Sequence, residues 1–134
     1  MGIFDLFGKK DATSNEPAYD LSIQMHPIRL RANAADYADL TITVTSKFNK
    51  ELLTSLVVVV PKELGLDQSA LSHQREVRFG MLGAGEQKQL KLQIYATQRT
   101  PKGSYKIKIY AIAHYRDYSY VMNEVLKKAD IRVE

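Results

Sequence analysis

The sequence contains no cysteine and no tryptophan. Without cysteine there is no disulfide framework, no thiolate zinc site, no iron–sulfur cluster and no thiol nucleophile. A chain free of cysteine survives in reducing and oxidising compartments alike, so this absence assigns neither. No apolar run reaches the roughly 18 residues that a membrane-spanning helix needs. The N-terminus also lacks the basic start and long apolar stretch of a secretory signal, and no Asn-x-Ser/Thr sequon occurs. Together these absences lead us to expect a cytoplasmic protein.

The motifs of catalysis and metal binding are missing too. There is no Gly-x-Ser-x-Gly nucleophile elbow and no Asp-rich calcium loop. His26, His73 and His114 lie far apart and lack the short spacing of metal ligands. Gly83-Ala84-Gly85 leads into an alternating stretch, whereas a phosphate cradle needs a helix N-terminus after it. Asp117 and Glu124 could meet across a loop, yet nothing marks them as an acid and base pair. The expectation is a protein that is not an enzyme and takes no cofactor or metal. The net charge of +4 is modest and dispersed, which argues against specific nucleic-acid binding. Residues 1–18 hold Lys9 and Lys10 against Asp5, Asp11 and Glu16, so about +5 falls on the remainder.

What the chain has is strand pattern. Its 134 residues suit one domain with a core large enough to stand without staples. Leu21, Ile23 and Met25 alternate with polar residues. Pro27 interrupts them, as it does at an edge or a strand switch, and Ile28 and Leu30 resume. Leu40, Ile42 and Val44 alternate with Thr41, Thr43 and Thr45, the signature of a half-buried antiparallel strand. Leu56 to Val60 is unbroken apolar and reads as a strand buried on both faces, or as a central strand, ended by Pro61. Asp67 is placed to cap a single helical turn running to Ser72. Val77 and Phe79 suggest a short strand, with a tight connection over Gly80 to Gly85. Alternation returns at Leu90 to Ala96, and again at Tyr105 to Ala113 after the turn Thr100-Pro101-Lys102-Gly103. A last strand is expected over Glu124 to Val133. Short strands with turn signals between them and no long amphipathic helix predict an all-β fold. We expect an immunoglobulin-like antiparallel β-sandwich of about seven strands over residues 19–134, a closed barrel being the alternative.

Four strings stand in order: LTITVTS from Leu40, LVVVVPKELGL from Leu56, LGAGEQKQLKLQIYAT from Leu82 and TPKGSYKIKIYAIA from Thr100. Over about residues 28–115 this order resembles the CARDB-like, adhesion and glycosidase-associated immunoglobulin-like modules of bacteria and archaea. The resemblance implies a sandwich with no shared catalytic residues, in a family whose members are usually secreted or membrane-anchored.

Two segments are candidates for binding. The stretch from His114 to Tyr120 packs Tyr115, Arg116, Tyr118 and Tyr120 together, residue types that anchor interfaces at low entropic cost. A sandwich would bring Phe48, in the polar tip Lys47–Lys50, to the same end, making one patch. Those tyrosines could instead cap the core with their hydroxyls in water. The second candidate is the N-terminal amphipathic segment. Ile3, Phe4, Leu6 and Phe7 share one side of a short helix closed by Lys9 and Lys10, suited to an anionic bilayer surface or a partner groove. A polar linker ending at Pro17 follows. Lys91, Lys106 and Lys108 read as strand-face charges that deter edge pairing. The expected function is a non-catalytic interaction module with an unknown protein partner and peripheral contact at the inner membrane face. It is expected to be a monomer or weak homodimer through its sheet edges. A carbohydrate-binding accessory module is the alternative, disfavoured by the lack of tryptophan.

Overall fold

Residues 17–134 are described in a computed structural model. The alternating stretches become β1 (Tyr19–His26), β2 (Arg29–Leu30), β3 (Asp36–Ser46), β4 (Leu52–Val59), β5 (Gln74–Leu82), β6 (Gln87–Ala96), β7 (Gly103–His114) and β8 (Val121–Val133). No helix occurs among the described residues. The strands form a three-stranded sheet, β1-β3-β6, and a five-stranded sheet, β2-β8-β7-β4-β5. All pairings are antiparallel except the short one between β2 and β8.

Side chains on a strand alternate between faces, so each alternating stretch sends its apolar set inward. On β3, Leu40, Ile42 and Val44 are fully buried, while the threonines between them stay half-exposed. On β4, Leu56 and Val58 point into the core, and Val57 and Val59 lie half-buried on the outer face. This strand does run between two others, β5 and β7, as its unbroken apolar run predicts. Ile107, Ile109, Ala111, Ile131 and Val133 complete the five-stranded side of the core. A buried bond between the Tyr19 hydroxyl and Thr54 Oγ1, 2.6 Å, ties the two layers. Lys127 Nζ donates to the carbonyl of Leu21 and joins β8 to β1.

Several local expectations need correction. Pro27 marks a strand switch, and the chain passes there from the three-stranded to the five-stranded sheet. Leu30 is buried but Ile28 is exposed, because Ile28 lies on the crossing before β2 begins. Asp67 caps no helical turn. Its carboxylate instead accepts bonds from the backbone N–H of Leu71 and of Ser72 and from the Ser69 hydroxyl. Ala70 adopts φ 57°, a left-handed conformation that a right-handed helix cannot contain. The strand around Val77 is longer than its alternation suggests and runs on to Leu82. A bulge lets it continue: the register with β4 shifts at Thr54/Ser55, opposite Gly80 at φ 78°. The connection shrinks to Gly83–Glu86, closed by a bond from the Gly83 N–H to the Glu86 carboxylate. The last strand starts three residues before Glu124, where Val121 pairs with His114.

This topology gathers three connections at one end of the sandwich: residues 47–51, 83–86 and 115–120. Residues 27–35, 60–73 and 97–102 form the other end. There Thr100 Oγ1 donates to the Glu63 carbonyl at 2.7 Å, and Gly65 bridges to Tyr95.

Candidate functional site

The tyrosine loop connects β7 to β8. Its backbone closes on itself, Tyr115 N–H to the Tyr120 carbonyl and Tyr120 N–H to the Asp117 carbonyl. Asp117, considered above as a catalytic carboxylate, accepts from the Ser119 N–H and serves the turn. The loop also folds back over the outer face of the five-stranded sheet. The Tyr118 hydroxyl accepts from the Gly80 N–H on the edge strand β5 at 3.0 Å. The Arg78 guanidinium lies 4.6 Å from the Tyr118 ring centre, and the His114 ring meets its edge at 5.0 Å. Beneath this cover His114 Nε2 and the Ser55 hydroxyl are 2.7 Å apart and buried.

The five residues grouped from sequence therefore divide. Tyr118 is a clasp whose ring and hydroxyl are committed within the protein. Tyr115 and Tyr120 are 53% and 59% exposed, and Arg116, left-handed at φ 71°, stacks over Tyr115 at 5.1 Å. Phe48 reaches the same end and is partly exposed, but among the described residues no ring contact joins it to the loop. Ile3, Phe4, Leu6, Phe7, Lys9 and Lys10 lie outside the described residues.

Below the clasp the outer face of the five-stranded sheet is apolar. Leu126, Tyr110 and Val57 stand side by side across β8, β7 and β4. Ile112, Val59 and Leu53 flank them half-buried, and Met81, Val121 and Met122 extend the patch toward the tyrosine loop, largely exposed. Sequence reasoning missed this surface. It took Lys106 and Lys108 as the character of the outer face of β7, although Tyr110 and Ile112 follow with the same parity. The available signal was apolar residues at both parities of β4 and of the second half of β7.

The opposite outer face is polar. Thr41, Thr43 and Thr45 stand beside Lys91, Gln89 and Gln87, and Asp39 accepts from the Gln93 amide. At one end Tyr37 and Tyr95 contact with ring centres 6.0 Å apart, and Tyr95 donates to Gln93. A groove of about 400 Å³ opens there, walled by Arg31, Asp36, Tyr37, Gln68 and Tyr95. Among the described residues no three His, Asp or Glu side chains converge.

A set of solved structures superposes on this two-sheet arrangement. The carboxy-terminal portion of α2-macroglobulin from Escherichia coli, starting at domain MG7, superposes with a TM-score of 0.61 at 17% identity, over 87% of this chain and 17% of that one. A CARDB domain from Pyrococcus furiosus, solved with di-metal ions, superposes with a TM-score of 0.52 at 18% identity, over 95% of this chain and 100% of that one.

The fold is immunoglobulin-like.

A Pseudomonas fluorescens alkylpurine DNA glycosylase bound to DNA also contains this fold, with a TM-score of 0.57, 11% identity and 88% coverage of this chain. The present chain spans 31% of that structure and 17% of the macroglobulin one. At these identities the likeness concerns the fold alone. No family model and no curated protein matches the chain.

Proposed function

We propose that this immunoglobulin-like domain is a non-catalytic binding module that docks a protein through the outer face of its five-stranded sheet. The observation that carries the reading is the contrast between its two outer faces. The face of the three-stranded sheet bears threonines and glutamines, as a solvated sheet does. The face of the five-stranded sheet bears Leu126, Tyr110, Val57, Ile112 and Val59 in one continuous patch. Patches of this kind on a small domain mark interaction sites. Tyr115, Arg116 and Tyr120 border it, rich in contact area and polar at their tips. The order of the four strings and the likeness in fold to a CARDB domain support a CARDB-like module.

A photo-crosslinking residue at Leu126, compared with one at Thr43, tests this in cells. Adducts are expected from position 126 and not from 43. Equal yields at the two positions would remove the docking reading. Peripheral attachment to the inner membrane face through Ile3, Phe4, Leu6, Phe7, Lys9 and Lys10 is a separate element of the proposal. Co-sedimentation with anionic liposomes should fall when residues 1–10 are removed. A second reading, carbohydrate binding, is favoured by the exposed Tyr37 ring and the half-buried Tyr95 ring beside Gln93 and Asp39. A glycan array in which wild type and Tyr37→Ala give equal signals would dispose of it.

A further inference from the structure

On the outer face of the five-stranded sheet, Lys108 of β7 stands directly opposite Lys128 of β8. Both are exposed, and like charges at facing positions repel. One step along the same ladder, Lys106 and Asp130 form an ion pair at 2.8 Å. Among the described residues Lys108 and Lys128 have no such acid. Glu124 stands on the other side of the apolar row, next to Ile112, exposed and equally without a cation. The row Leu126–Tyr110–Val57 is thus flanked by an unpaired basic pair on one side and an unpaired acid on the other. Each flank is two residues from the row, roughly 7 Å along the strand.

A surface with this pattern is complementary to itself. A half-turn about a line lying along the row places the apolar row on its own copy and exchanges the flanks. Leu126 then faces Leu126, and Glu124 of each copy faces Lys128 of the other, beside the crowded Lys108. Glu76, at the β5 end of the row, is held by Arg78 at 3.6 Å. We propose that this face docks a second copy of the same chain in that isologous arrangement, an inference that rests on the protein-docking reading above. Edge pairing is the competing way to make a dimer, and β5 resists it. That edge carries Arg75, Glu76 and Arg78 and is distorted by the bulge at Gly80.

The usable face covers four strands at about 4.8 Å spacing and about six residues at 3.4 Å each, roughly 400 Å² of flat footprint per copy. Stable complexes bury about 800 Å² per partner. The dimer is therefore weak, concentration-dependent and salt-sensitive, because Glu124 and Lys128 lie at its rim.

Sedimentation of the full chain between about 10 µM and about 1 mM reads this directly. The mean mass should climb toward twice that of the chain. Leu126→Glu should keep it monomeric while circular dichroism shows an intact fold, since the side chain is 45% exposed. Glu124→Lys and Lys128→Glu should each weaken association about 10-fold, and the double exchange should restore it to within about 3-fold of wild type. A full chain that stays monomeric throughout, or a double exchange as weak as either single one, overturns the proposal. The crosslinking experiment separates this failure from that of the docking reading. Adducts at position 126 that carry peptides of a different protein leave a docking face standing but assign it another occupant. Links from 126 to residues 1–16 of the same chain overturn the second copy as well.

Discussion

Tyr118 illustrates how a residue chosen for binding chemistry can be engaged in holding its own loop. Its hydroxyl satisfies the Gly80 N–H, and its ring lies between Arg78 and His114. Tyr118→Phe removes only the acceptor and should cost about 1 kcal/mol in urea unfolding. Tyr118→Ala also strips the ring from Arg78 and His114 and should cost about 2 kcal/mol or more. Tyr115→Ala and Tyr120→Ala, at exposed positions, should stay within about 0.5 kcal/mol of wild type. If Tyr118→Ala proved as mild as those two, the clasp would be wrong. Gly65 is a second residue whose identity follows from its surroundings. A Cβ there would stand 2.2 Å from the Ala70 Cα, a backbone atom that a rotamer change cannot move. Gly65→Ala should therefore destabilise by about 2 kcal/mol, measured as a fall in the urea midpoint.

At the scale of elements, β3 gives the cleanest contrast between neighbours. Ile42 is fully buried between β1 and β6, whereas Thr43 points the other way and is half-exposed. Ile42→Ala should cost about 3 kcal/mol through lost burial and the cavity left behind. Thr43→Ala should cost less than about 1 kcal/mol, the price of a weaker strand former. Two costs of similar size would mean that the threonine face is covered. The strands with simple alternation were legible before any coordinates, because period-two burial is local. The long reach of β5 was not legible. Its register depends on a bulge that only pairing with β4 reveals, and the exposed residues Arg75, Glu76 and Arg78 hide the strand in a charged stretch.

For the whole molecule, the pH dependence follows from carboxylates built into turns. Burial alone would raise the Asp36 carboxyl. The backbone N–H groups of Arg31 and Tyr37 and the Arg31 guanidinium outweigh it and hold that group below the ordinary range. Asp67 is lowered by the N–H of Ser72 first, then by Ser69 and Leu71. A group whose pKa is lower folded than unfolded stabilises fully above the unfolded value, about 4 for a carboxylate, and loses that contribution as pH falls through the folded one. The urea midpoint should accordingly decline below about pH 4, and Asp36→Asn should remove part of that decline. A midpoint with the same acid dependence in wild type and variant would contradict this assignment.

The candidate surface divides along the same line between near and far. That Tyr115, Arg116 and Tyr120 stand on an exposed loop could be read from chain order, since turn residues follow a strand. That Tyr118 turns inward could not, because its partner Gly80 lies 38 residues away in the chain. Phe48 reaches the expected end of the sandwich, yet proximity in topology did not bring it into ring contact with the tyrosines. By itself the sequence determined the class of fold, the inward set of most strands and the turn positions, because backbone sterics and period-two burial act within a few residues. Only the tertiary structure decided which outward residues become neighbours. Val57, Tyr110 and Leu126 are far apart in the chain, and inter-strand hydrogen bonds alone align them into one surface.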